Sequence, residues 1–354
     1  MNIVTSLCVD EAGQEASRYA QLLDMQAEQR RRVYWQCVVV FFASSVRCNP
    51  GARHLFFTND PAPAGWRGLD YRAFLARIGV EIRLLPFTSF VPPPGFSTDF
   101  RNGFYKLEVL QALADPALAP SSVLFDSDCV WTRPVPELAR RLETSNQLLL
   151  LDVQAGSTPD DQVAGLSRRA IGALYREIYP GYPAAVPTFF GGEVVGGSQA
   201  TLAALLADLQ ATWQHLQRAY PAAPPRFSTQ ESIYDGDEYV MNLVYNRRPW
   251  PWLDASPYLR RIWTSHRYTN VLPTDAALPL WHLPSEKLQG LPVLCRQALN
   301  PASDFWRVPL AGFGTYLGRY LGLTAWAPQR LLALSTKLPR AWVLVKRLKR
   351  LVLQ

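Results

Sequence analysis

The sequence has no paired cysteines. Its 5 cysteines (Cys8, Cys37, Cys48, Cys129 and Cys295) are odd in number and scattered, with no C-x-x-C among them. Neither a zinc site nor a disulfide framework is expected, and a reducing compartment is the simplest reading. Long apolar runs are also missing. No stretch reaches the roughly 18 apolar residues of a transmembrane helix. The opening Met1-Asn2-Ile3-Val4 lacks the basic, apolar and cleavage regions of a signal peptide. These absences predict a cytoplasmic protein. The sequence contains neither a P-loop nor a G-x-G-x-x-G fingerprint, so ATPase and dinucleotide dehydrogenase readings lack support.

Acidic residues are absent from the last fifty positions, where nine basic residues fall between Phe305 and Gln354. The remaining 27 basic residues face 29 acidic ones in residues 1–304, so the net charge of +7 resides in the tail. A nearly neutral body with one basic appendage argues against a nucleic-acid partner. Within the tail, Pro339 sets off residues 341–353, where Leu344, Leu348 and Leu351 share a helical stripe and Lys346, Lys349 and Arg350 lie on another. This pattern predicts a basic amphipathic helix. It either packs on the domain or rests on an anionic membrane surface, here the inner face of the plasma membrane. The expected division is one folded domain over 1–300 and a basic, aromatic, helical tail over 301–354.

The chain is 48% hydrophobic, enough for a sizeable core, and its body alternates strands with helices. Strands are expected at Ile3–Val9, His54–Thr58, Val80–Leu85, a run ending at Asp126, and Gln147–Val153. Helices are expected over Gln14–Arg32, Val33–Val46, Tyr71–Ile78, Phe104–Leu113, Gln199–Tyr220 and Asp237–Tyr245. The fold class is α/β, a Rossmann-like mixed central sheet flanked by helices.

Ser122-Val123-Leu124-Phe125-Asp126-Ser127-Asp128-Cys129-Val130 is the most informative segment. A short apolar run reads as a buried strand, and open α/β sheets bind ligands at the carboxyl ends of their strands. Asp126 and Asp128 point the same way if the extended backbone continues. Two convergent carboxylates repel unless a cation joins them, and hard oxygen ligands suit Mg²⁺ or Mn²⁺. Asp128 is expected to lie in a surface cleft, so that Asp128→Asn leaves the fold intact. A strand followed by a polar turn is the plainer reading.

Further candidates surround this pair. Gly191-Gly192 and Gly196-Gly197 permit close backbone approach to a ligand, or form a bulged hairpin. Asp237 and Glu238 open a helix, where acids either cap it or aim into a cleft. His282 follows the strands, with Lys287 five positions on, and could add an imidazole ligand; His266 is its rival. Arg101 and Lys106 lie upstream of the strand, where solvated helix charges are the plainer reading.

In their order along the chain, these segments resemble nucleotide-sugar glycosyltransferases of the GT-A fold. Asp237-Glu238-Tyr239-Val240-Met241-Asn242 looks like the Asp-Glu-x-x-x-Asn of the retaining blood-group-type galactosyltransferases. It is also similar to the Asp-Gln-x-x-x-Asn of glycosyltransferase family 8. The resemblance covers roughly residues 1–290. It implies a metal-dependent enzyme that moves a sugar from a nucleotide sugar, such as a UDP-sugar, to a glycan or lipid-linked acceptor with retention. It further implies Asp126, Asp128 and His282 as ligands of Mn²⁺ or Mg²⁺. Thr5, Ser6, Asp10, Arg101, Lys106, Asp126, Gly191, Gly192 and Lys287 would lie at the donor. Glu238, with Asp237 beside it, would lie at the anomeric carbon. The His282–Lys287 spacing is one residue shorter than the family 8 pattern.

Two other readings compete. A haloacid-dehalogenase-like phosphatase also carries an Asp-x-Asp, but at the end of its first strand, and Asp160-Asp161 lies in a polar loop. A membrane-associated nucleotide-sugar-binding protein without catalysis would not need Asp126, Asp128 and Glu238 together.

Overall fold

The computed structural model describes residues 1–10, 17, 22, 25–66, 68–97, 99–118, 120–163, 165–265 and 268–323. His266 and residues 324–354 lie outside them, and with them the amphipathic stretch of the tail. In chain order the elements begin with β1 (Asn2–Leu7), α1 (Ala27–Cys48), β2 (Arg53–Thr58), a hairpin of β3 (Gly65–Trp66) and β4 (Leu69–Asp70), α2 (Tyr71–Arg77) and β5 (Val80–Leu84). Next come α3 (Tyr105–Leu113), β6 (Ser121–Phe125), β7 (Cys129–Trp131), α4 (Pro136–Thr144), β8 (Leu148–Leu150), a hairpin of β9 (Gln162–Val163) and β10 (Leu166–Ser167), and α5 (Arg168–Ile178). The rest are β11 (Val194–Ser198), α6 (Gln199–Ala219), α7 (Asp237–Arg247), β12 (Trp252–Asp254), β13 (Leu259–Arg261), β14 (Leu280–His282), α8 (Gly290–Leu299), α9 (Asp304–Arg307) and α10 (Leu310–Leu321).

The fold is mixed α/β. Its central seven-stranded sheet has the order β12-β8-β11-β6-β1-β2-β5. Strands β6, β1, β2 and β5 run parallel, so their carboxyl ends share one edge, while β11 runs antiparallel between β6 and β8. Side chains alternate across a strand. Accordingly Ile3 enters the core on one face, under α1 and α8, and Val4 enters the core on the other, under α3, α6 and α7. A smaller sheet, β13-β14-β7, stands beside the first.

The expected helix over Val33–Val46 is present, but it begins earlier, as one helix of 22 residues from Ala27 to Cys48 that takes in the end of the expected Gln14–Arg32 helix; residues 11–16, 18–21, 23 and 24 lie outside the described residues. Every residue from Trp35 through Ser45 is buried, because the main sheet, β7, α2 and α8 pack around α1. A helix buried all round has no polar stripe, so its period is illegible. Burying its aromatic side chains Trp35, Phe41 and Phe42 contributes on the order of 1.5–3 kcal/mol each. Helix α6 is amphipathic and was readable: Leu202, Leu205, Leu209, Trp213 and Leu216 form its buried stripe, and Ser198 caps it by accepting from Thr201 N–H.

Residues beyond the expected boundary at 300 pack on the body of the protein. Phe305, Phe313, Leu317 and Leu321 are fully buried in the same core as α1. Arg47 of α1 donates to the carbonyls of Phe305 and Val308 and lies over the Phe313 ring. The start of the basic tail is therefore part of the domain. Among the described residues no helix is long and apolar enough to cross a membrane.

Candidate metal centre and acidic cleft

Strand β6 delivers Asp126 to the carboxyl edge of the sheet. The backbone does not continue extended, as the sequence reading assumed. It turns, with Cys129 N–H donating to Asp126 O at 3.2 Å, and enters β7. The two carboxylates converge for another reason. Cys129 pairs with His282 across β7 and β14, and Leu283 N–H donates to Asp128 O at 3.1 Å. The second sheet thus brings His282 to the turn. Its Nε2 lies 3.3 Å from Asp128 Oδ1 and 3.6 Å from Asp126 Oδ2.

Among the described residues this is the one cluster of three metal-capable side chains, with ligand atoms within 4.8 Å of one another. Adjacent ligands around a six-coordinate Mg²⁺ with bonds of about 2.1 Å sit about 3 Å apart. Two carboxylates and an imidazole at these spacings fit a Mn²⁺ or Mg²⁺ ion after a small contraction. Behind the ring, Nδ1 is buried without a hydrogen bond and lies 3.6 Å from Glu193 Oε1. An acid there selects the tautomer that leaves Nε2 for a metal.

Two lysines balance the acids. Lys287 donates to Asp128 Oδ2. Lys106 Nζ lies 2.6 Å from Asp126 Oδ1 and 3.4 Å from Asp237 Oδ2, and donates to Gly192 O at 2.9 Å. Burial disfavours each ammonium, yet the neighbouring acids raise both pKa values above the ordinary lysine range. Burial likewise opposes the charged form of Asp128, but Lys287 and His282 hold its carboxyl well below the usual range. For His282, burial is outweighed by Asp128 and Glu193, and its pKa rises to about 9. Asp237 moves upward, mainly through burial, which Lys106 opposes and Glu238 and Asp126 reinforce.

Helix α7 aims Glu238 through a polar ladder. Gly192 N–H donates to Glu238 Oε1 at 2.8 Å. One turn on, Asn242 accepts from Phe190 N–H and donates to Phe190 O, both at 2.7 Å. A further turn on, Asn246 makes the same pair of bonds to Thr188, both at 2.9 Å. Four helical residues rise about 6 Å and two extended residues about 6.6 Å, so the rungs stay in step. The other edge of the extended segment pairs with 151–153, through Gly191 N–H to Leu151 O and Val153 N–H to Phe189 O.

The N-cap of α7 is Gly236 and neither acid makes a side-chain cap bond, although both lie in the first turn, where the helix dipole favours acids. Gly191 and Gly192 have no positive φ and are required by space. A Cβ on Gly191 would meet Glu193 Oε2 at 2.0 Å, and one on Gly192 would meet Glu238 Cγ at 2.9 Å. Gly196 and Gly197 lie within β11, beneath Val123 and Thr201.

The remaining expected residues divide. Asp10 borders a cleft of about 310 Å³ at the end of β1, lined also by Arg30, Arg31, Tyr34, Asp60 and Asn102. Its carboxylate accepts from Asn102 Nδ2 at 2.9 Å and Arg30 Nη2 at 3.3 Å. Tyr34 joins the cleft to the acidic cluster, with Lys287 Nζ 5.9 Å from its ring centroid. Thr5 is fully buried and its hydroxyl donates to Phe125 O at 2.8 Å, holding β1 to β6. Ser6 is half-buried within β1. Arg101 is buried, with its guanidinium 5.8 Å from the Phe87 ring centroid.

Two functional candidates were missed. Glu193 is fully buried, and Arg261 holds it through Nε at 3.0 Å and Nη2 at 2.6 Å. The signal for Glu193 was present, since an acid inside Gly-Gly-Glu-Val-Val-Gly-Gly is buried at a prohibitive cost unless paired. Nothing local marked Arg261 as its partner.

No protein-family model matches this chain, and no curated protein matches it.

Proposed function

We propose that the protein is a metal-dependent glycosyltransferase that uses a nucleotide-sugar donor, a UDP-sugar first among the candidates, and a glycan or lipid-linked acceptor. The observation that carries this reading is the meeting of Asp126, Asp128 and His282 at one strand edge, with Glu238 lining a small cavity beside Lys106, whose ammonium reaches Asp126.

Asp126, Asp128 and His282 would hold Mn²⁺ or Mg²⁺, and the ion would neutralise a diphosphate leaving group. The side chains have separable tasks. Lys106 and Lys287 offer ammonium groups that can turn from carboxylates to phosphate oxygens. The cleft beside Tyr34 has the size of a ligand pocket and lies where open α/β sheets bind nucleotides. Glu238 anchors one carboxylate oxygen on Gly192 N–H and Arg261, and its other oxygen accepts no hydrogen bond among the described residues. A carboxylate so held can face the positive charge that develops at an anomeric carbon. Its placement on the sugar face opposite the leaving group would give retention, which the resemblance of the α7 motif also favours.

A phosphatase reading finds less support. Asp126 ends the fourth of the parallel strands to appear in the chain, and β6 has an antiparallel neighbour in β11. The deciding experiment is donor hydrolysis by purified protein across a panel of nucleotide sugars, with Mn²⁺ and with chelator. Mn²⁺-dependent release of nucleoside diphosphate from one donor is expected. Hydrolysis of simple phosphomonoesters instead would overturn the proposal.

A further inference from the structure

We propose that Arg261 is a positioning residue that sets Glu238 and the metal-ligand imidazole of His282 together, through the buried Glu193. The inference rests on the reading above for the role of Glu238, but not for the metal.

Arg261 and His282 are partners in the parallel pair β13–β14. Arg261 Nη2 sits 2.6 Å from Glu193 Oε2 and 2.6 Å from Glu238 Oε1, so one nitrogen joins both acids. Glu193 has no exposure and no room to move, since Gly191 leaves no space for even a methyl group beside its Oε2. Its Oε1 takes Arg261 Nε and faces His282 Nδ1 at 3.6 Å. A continuous chain of charges therefore runs from Glu238 through Arg261, Glu193 and His282 to Asp126 and Asp128. The planar fork of the guanidinium is what makes the junction: two nitrogens fix Glu193, and the outer one reaches Glu238. An ammonium has no such fork. Metal ligands oriented by an outer carboxylate lose roughly 10–100-fold in affinity or activity when that partner is changed.

The test uses Arg261→Lys and Glu193→Gln in the full chain, with Mn²⁺ binding read by isothermal titration and folding by circular dichroism. Arg261→Lys is expected to lower Mn²⁺ affinity roughly 10-fold, and to lower kcat for donor hydrolysis roughly 10–100-fold with KM within about 2-fold. Glu238→Gln, at the far end of the chain, should keep wild-type Mn²⁺ affinity. Unchanged Mn²⁺ affinity in folded Arg261→Lys overturns the coupling; should that variant not fold, the shape-conserving Glu193→Gln decides by the same measure. Wild-type protein that binds Mn²⁺ but hydrolyses no nucleotide sugar would remove the glycosyltransferase reading while leaving the metal coupling to stand or fall on affinity alone.

Discussion

Arg261 and His282 sit side by side on paired strands, one directed at Glu238 and the other at Asp126 and Asp128. A single strand pairing therefore supplies both ends of the site. The consequences can be measured residue by residue.

Asp128→Asn should cost stability as well as metal, contrary to the surface-cleft expectation from sequence. Asp128 is 2% exposed and pairs with Lys287 and His282, so the variant leaves a buried ammonium uncompensated. A loss of about 3 kcal/mol is expected in urea denaturation. Asp126→Asn, at a side chain 25% exposed, should abolish Mn²⁺ binding with a smaller loss.

Mn²⁺ affinity should rise with pH. With its pKa raised to about 9, His282 in the metal-free protein carries a proton at neutral pH that the ion must displace. Apparent affinity should climb about 10-fold per pH unit from neutrality and level off near pH 9. The metal-free fold should show the opposite trend. The raised pKa contributes stability that is full below about pH 6.5 and is lost as pH rises through about 9. Titration in buffers of different ionisation enthalpy counts the released proton, and His282→Gln should abolish it.

Gly191→Ala and Gly192→Ala should separate. The Gly191 Cβ meets the buried Glu193 and, at 2.6 Å, Val153 Cγ1, so a stability loss of roughly 1–3 kcal/mol is expected. The Gly192 Cβ meets the more exposed Glu238 and Lys106, which can shift, so folding should largely survive while donor turnover falls. Thermal melts beside hydrolysis rates distinguish the two.

Asn242→Ala should destabilise by roughly 2–4 kcal/mol, because it strands both the N–H and the carbonyl of Phe190 in the core. Asn246→Ala, at a less buried position, should cost less. Urea denaturation gives both values.

Truncation should divide the tail. Removing residues 324–354 should leave a folded domain, whereas removing 301–354 strips Phe305, Phe313 and Leu317 from the core and should prevent folding. Sedimentation of full-length and shortened protein with anionic liposomes tests the membrane-surface role of residues 341–353.

The parts legible in sequence were those whose signal is local. Strand β6 with Asp126 and Asp128, and the start of α7 with Glu238 and Asn242, each fit within a dozen residues. His282 could be proposed because it follows the strands beside Trp281, with Lys287 five positions on. The turn at Asp126 was not legible, since it depends on β7 leaving the main sheet to join β14. Arg261 was hidden for the same reason: its meaning comes from Glu193, 68 positions away. The hydrogen bond of Thr5 to Phe125 was not legible either, because a hydroxyl in a strand can serve the neighbouring strand as readily as a ligand.

The ladder between α7 and residues 188–192 behaves as a vernier. Its two scales, about 6 Å and about 6.6 Å per rung, differ by about a tenth, so they coincide over a few rungs and drift apart beyond. A slip of one residue in the extended segment would turn its amides to the opposite edge and lose every rung at once. The placement of Glu238 is thereby discrete: the helix can take this setting or release it, but nothing close to it.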